Sequence, residues 1–111
     1  MANEYFVKIT EYAQGQMRGI LQYIANELDN PDAARHTLDT LEESICSLSQ
    51  LPERFALTEE EPWRSFGVHK LMVKNFLVYY WIDKEQNIVQ VTAIVYYKRN
   101  QKSQLEQMKW E

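Results

Sequence analysis

Between Glu11 and Leu28 the apolar residues recur every three or four positions, at Ala13, Met17, Ile20, Leu21, Ile24 and Leu28. That spacing lines one face of a helix. A second stripe, Ala34, Leu38, Leu41, Ile45 and Leu48, predicts another helix from Pro31 to about Leu48. Thr10 stands where it can cap the first helix, with Glu11 in the first turn. Asn30 can cap the second, and Pro31 sits at the first helical position, where a missing N–H costs nothing. A link of two or three residues makes the pair antiparallel, an αα-hairpin. Ahead of them, Tyr5-Phe6-Val7-Lys8-Ile9 alternates and is rich in β-formers, so it predicts a short edge strand.

The pattern changes after Phe66. From there to Arg99 the chain reads as three strands in sequence: FGVHKLMV, FLVYYWID and IVQVTAIVYYKR. Lys74-Asn75 forms a two-residue hairpin turn, with Asn75 tolerating left-handed backbone. In the first strand His69 shares a face with Leu71 and Val73, and Lys70 shares the other with Val68 and Met72. The middle strand is apolar on both faces and belongs in the centre of the sheet. In the last, Val89, Val91, Ala93 and Val95 alternate with Gln90, Thr92, Ile94 and Tyr96. This predicts one apolar face under the helices and one mixed outer face. Tyr96 and Tyr97 should point to opposite sides, one of them into the core.

Gln50 to Trp63 has no period, is bracketed by Pro52 and Pro62, and holds Glu59-Glu60-Glu61, which predicts a mobile, solvated loop. Cys46 adjoins the second helical stripe and reads as a small buried side chain. Ser103 and Glu106 have capping-box spacing, so a short C-terminal helix is expected. The fold class is α+β, in the order β-α-α-β-β-β. An antiparallel sheet is packed on one face by the helical hairpin, as a single domain over residues 1–111.

Composition narrows the function. Residues 1–62 carry 4 Lys+Arg against 12 Asp+Glu, a balance of −8, while residues 63–111 carry 8 against 4, a balance of +4. An acidic front and a basic back suggest two faces with different partners. A lone cysteine excludes an internal disulfide and fits a reducing cytoplasm. No apolar run approaches the roughly 18 residues of a membrane span, and no signal-peptide pattern opens the chain.

Several local patterns then carry a resemblance. They are Val7-x-Ile9-Thr10-x-x-Ala13, Tyr23-Ile24-Ala25 with Asn30-Pro31-x-Ala33-Ala34, and Ile45-x-x-Leu48-x-x-Leu51-Pro52-x-Arg54. Gly67-x-x-Lys70-x-x-x-Lys74-Asn75-Phe76-Leu77-Val78-Tyr79-Tyr80 enters the sheet, and Ile94-x-Tyr96-x-Lys98-Arg99 leaves it. Together, over roughly residues 5–105, the chain resembles the RelE/ParE superfamily of type II toxin–antitoxin toxins, the plasmid-stabilisation proteins. The resemblance implies one of two activities. RelE-like members are metal-independent endoribonucleases that cut mRNA, usually on the ribosome, and so inhibit translation. ParE-like members poison DNA gyrase without hydrolysing anything. A degenerate member would only bind its antitoxin. In each case a small cognate antitoxin protein wraps the toxin, and no cofactor, metal or membrane is involved.

RNA cleavage through the 2′-OH needs a base, an acid and cations for the charged phosphorane. On the RelE-like reading Arg99, after the last strand, clamps a phosphate. His69 is the acid/base candidate, because imidazole ordinarily titrates near neutrality. Lys70 and Tyr96 complete the catalytic set, and Lys74, Lys98 and Arg64 bind RNA. His69 can equally be a packed histidine, Lys74 a turn residue and Lys98-Arg99 an antitoxin-docking pair. RelE-type nucleases commonly carry an arginine at the start of the middle strand, where Phe76 stands here. Arg99→Ala is expected to relieve growth arrest under either activity, scored as colony formation on expression without antitoxin. Undiminished arrest would remove Arg99 from the site.

Overall fold

The structure, a computed structural model, describes residues 4–98 and 105–108. Its elements are β1 (Phe6–Ile9), α1 (Glu11–Gln22), α2 (Pro31–Cys46), α3 (Trp63–Phe66), β2 (Val68–Val73), β3 (Phe76–Asp83) and β4 (Ile88–Tyr96). Both predicted caps are in place. The Thr10 hydroxyl oxygen accepts from the Ala13 N–H at 3.2 Å, and the Asn30 side chain accepts from the Ala33 N–H at 3.1 Å. α1 does not stay α-helical to Leu28. It widens into a π-helical turn over Tyr23–Glu27, closed by the Leu28 N–H on the Tyr23 carbonyl. α2 ends in a 3₁₀ turn, Ser47–Ser49, and residues 105–107 are helical.

The sheet order is β1-β4-β3-β2. β2, β3 and β4 are antiparallel as expected, but β1 lies parallel to β4, so the sheet is mixed. Alternation along a four-residue strand encodes which side chains face inward and nothing about direction. Direction is set by the whole connection from β1 to β2, which carries the chain to the opposite edge of the sheet before the antiparallel strands begin.

The helical hairpin packs on one face, where Ala13, Leu41, Ile45 and Leu48 meet Val78, Tyr80, Val89, Val91 and Ile94. The other face is not the open, mixed surface that the alternation suggested. Trp63, Leu105 and Met108 cover Val68, Leu77, Tyr79, Ala93 and Val95 there. The last strand changes sides because of a β-bulge. Tyr79 pairs with Ala93 and Tyr80 with Val91, which leaves Thr92 as the extra residue. Val89 and Val91 therefore face the hairpin with Ile94, while Ala93 and Val95 face away. The Thr92 hydroxyl donates to the Tyr79 carbonyl at 3.3 Å, and the Ile94 N–H donates to the Gln16 side-chain oxygen at 2.7 Å. A polar residue of α1 thus serves a backbone group at the bulge.

The segment expected to be a mobile loop is an ordered strap. Gln50 bridges Glu4 at the β1 side, and the Pro52 carbonyl accepts from the Tyr80 hydroxyl on β3 at 2.6 Å. The Phe55 carbonyl meets the His69 ring on β2, and Ala56 to Thr58 pair along the outer edge of β2. The strap therefore crosses the sheet from one edge to the other. Its proline and acid content described its surface, not its mobility. Cys46 is exposed, because it lies one position off the stripe that buries Ile45. No helix among the described residues is long and apolar enough to cross a membrane.

Gln16→Ala would strand the buried Ile94 N–H and is expected to cost about 1–3 kcal/mol, read from the urea midpoint. Gln14→Ala removes only an exposed bond to the Ile9 carbonyl, and should stay within about 0.5 kcal/mol of wild type.

Candidate functional site

One end of the sheet gathers the β2–β3 turn and the end of β4. Val73 pairs with Phe76, and Phe76 with Tyr96. The Tyr97 N–H donates to the Asn75 carbonyl at 2.9 Å, so the chain leaving β4 is tied to the turn. Lys74, not Asn75, takes the left-handed backbone, at φ 54°, and its side chain is exposed. Tyr96 and Tyr97 are 38% and 36% exposed, so neither enters the core. Tyr97 lies past the end of β4, where strand alternation no longer applies. The Tyr96 and Tyr97 rings meet edge to face at 5.3 Å between centroids, and the Phe76 ring tilts against Tyr96 at 6.0 Å. The Lys98 ammonium lies 5.8 Å from the Tyr97 ring centre, within cation–π range. Of the expected site residues, the structure brings together Tyr96, Lys74 and Lys98. Arg99 lies outside the described residues.

His69 is elsewhere. It pairs with Tyr80, four residues along β3 from the Phe76–Tyr96 row, a separation of about 13 Å at the usual strand rise. Its ring is half-buried on the hairpin side, stacked on Tyr80 at 5.1 Å and 12° between planes. Its Nδ1 sits 2.7 Å from the Phe55 carbonyl oxygen, so the tautomer that donates from Nδ1 fits. The imidazole fastens the strap to the sheet. Lys70 projects to the opposite face from His69, in the row of Tyr79, and its backbone N–H holds the Ala56 carbonyl. Arg64 is on α3, with its guanidinium 3.4 Å from the Thr58 carbonyl. Neither joins the sheet-end cluster, and neither contacts His69 in the described bonds.

Arg54 is a residue that the sequence pattern quoted without assigning a role. Its guanidinium donates to the carbonyls of Ser47, Gln50 and Leu51 and to the Ser47 hydroxyl, and it lies 4.7 Å from the centre of the Phe55 ring. It ties together the carbonyls of the turn that follows α2, where the chain enters the strap. A basic residue shortly after a helix end was the available signal.

The same strap holds Tyr80. Burial pushes the Tyr80 phenol up to about 12, with the Arg54 guanidinium acting in the opposite direction. Tyr79 is pushed up as well, by burial and by the Glu60 carboxylate. A folded-state pKa above the unfolded value means that the phenol's contribution is complete below about pH 10 and is lost as pH rises toward the folded pKa. Tyr80→Phe orphans the Pro52 carbonyl and is expected to cost about 1–3 kcal/mol at neutral pH. The variant should also lose stability less steeply than wild type above about pH 10 in alkaline unfolding followed by circular dichroism. An unchanged alkaline limb would assign the titration to other groups.

No curated protein matches the chain at a significant level. Residues 7–101 match the family described as the ParE toxin of type II toxin–antitoxin system, parDE. Among solved structures, the chromosomal ParDE TA system from P. aeruginosa superposes with a TM-score of 0.71 at 19% identity, covering 87% of this chain and 100% of that one. The toxin–antitoxin complex RelBE2 from Mycobacterium tuberculosis gives 0.59 at 18% identity, covering 84% and 91%. The E. coli toxin RelE, a double arginine mutant in the free state, gives 0.60 at 13% identity, covering 91% and 93%. Identities this low speak to the fold, which all three share with this chain, while the family match extends over most of its length. The chain belongs to the ParE toxin family, within the RelE/ParE superfamily of type II toxin–antitoxin toxins.

Proposed function

We propose that residues 1–111 form one toxin domain, held inactive by a cognate antitoxin, that acts by binding its target in the ParE manner rather than by cutting RNA. The observation that carries this reading is the engagement of His69. A general base must reach the proton that it abstracts. The His69 Nδ1 is held at the Phe55 carbonyl, one ring face lies on Tyr80, and the backbone bridges Leu57 of the strap. Lys70 faces the opposite side of the sheet, and Tyr96 stands about 13 Å away along the strands. His69, Lys70 and Tyr96 therefore do not converge on one point. Phe76, at the position where RelE-type nucleases commonly carry arginine, packs its ring on Tyr96 and supplies no charge.

An antitoxin partner is supported by the family match and by neighbours that are themselves toxin–antitoxin complexes. DNA gyrase is the target that the ParE resemblance implies, met through the acidic helical hairpin. The RNA-cleaving reading keeps one observation in its favour, the clustering of Lys74, Tyr96 and Lys98 at the sheet end.

Expression without antitoxin separates the two. Gyrase-linked DNA breaks and lost supercoiling, with transcripts intact by primer extension, are the expected result, and His69→Gln should arrest growth as fully as wild type. Transcripts cut at defined sites, with supercoiling unchanged and arrest abolished by His69→Gln, would overturn the proposal.

A further inference from the structure

The two helices of the hairpin are unequally covered. α2 buries Ala34, Leu41 and Ile45. Of the apolar stripe on α1 only Ala13 is buried, the π-helical turn buries none of its residues, and Tyr23 and Leu28 are each 56% exposed. Between the helices, where α1 widens into that turn, runs an open crevice of about 280 Å³. Leu21, Ala25, Ala34 and Leu38 make its wall apolar, and the exposed Arg35 stands beside it. Leu38 lies midway along a stripe of α2 that begins at Arg35 and ends at Glu42. These two charges are seven residues apart, two turns on one helix face and about 10 Å along the axis. Both are exposed, and neither makes an ion pair among the described residues.

We propose that a second copy of the chain docks on this face of the hairpin, α2 antiparallel to α2 across a two-fold axis at Leu38. The stripe is self-complementary about that point. Arg35 of each copy meets Glu42 of the other, and each Leu38 enters the other's crevice. The same contact forms twice, and it covers apolar surface that one chain leaves open. Charge order selects this occupant. A partner of one sign satisfies one end of the stripe and is repelled by the other, whereas an inverted copy offers the opposite order. Residues 11–46 hold 7 Asp+Glu against 2 Lys+Arg, so two hairpins approach against net repulsion. The paired Arg35–Glu42 contacts offset that repulsion and fix the register. The proposal goes beyond the gyrase reading and does not depend on it.

The test is sedimentation velocity of the full chain, without antitoxin, over a concentration series. A reversible monomer–dimer equilibrium is expected. Arg35→Glu alone and Glu42→Arg alone should each raise the dissociation constant by about tenfold, because each sets like charges together twice. The two changes in one chain restore the pairing and should return the constant to the wild-type value. Both side chains are exposed, so these variants keep the fold. Glu85→Arg, at the β3–β4 turn, alters the net charge as much as Glu42→Arg does and should not weaken the dimer. A chain that is monomeric at every concentration overturns the proposal. So does a dimer that is indifferent to either single reversal, or one that the double change fails to restore. Amide-exchange protection of the hairpin that appears only with the cognate antitoxin, the free chain staying monomeric, makes the antitoxin the occupant and likewise overturns it. Gyrase inhibition is read in a separate assay, so either proposal can fail alone.

Discussion

β3 and β4 are buried on both faces, and the rest of the molecule is arranged to keep water from them. From Leu77 to Tyr80 and from Val89 to Val95 every residue is buried. A sheet strand of that kind needs a layer on each side. The helical hairpin supplies one. The strap from Gln50 to Thr58 adds to the hairpin side through Tyr80 and His69, and Trp63, Leu105 and Met108 supply the other. The bulge at Thr92 belongs to the same requirement. It moves Ile94 onto the hairpin face and leaves Ala93 and Val95 for the second layer, with Gln16 and Thr92 meeting the polar groups that it disturbs.

This double cover decides where function can sit. With both faces of the central strands occupied, the sheet has little open face to offer a ligand. Accessible regions include the outer surface of the hairpin and the sheet end, where Tyr96, Tyr97, Lys74 and Lys98 stand beyond the covered rows.

The residues that fix the strap are distinct from those gathered at the sheet end. His69, Tyr80 and Arg54 all have functional groups that could do chemistry, and all three spend them on backbone carbonyls of residues 47 to 55. Such bonds hold a segment that has no long regular element of its own. Of the side chains expected to form a catalytic set, His69 is held to the strap in this way.

Local sequence determined the element order, both helix caps, the hairpin and the central place of β3, because each depends on residues close together in the chain. Spacing of three and four marks a buried helical face, and Thr10 and Asn30 act on N–H groups three residues away. Tertiary structure alone decided the parallel pairing of β1 with β4, the face switch at Thr92, the ordering of the strap and the separation of His69 from Tyr96. Each of these turns on a contact between residues far apart in sequence, such as Gln16 with Ile94 or Pro52 with Tyr80. Local pattern carries no record of which distant backbone group a polar side chain will satisfy.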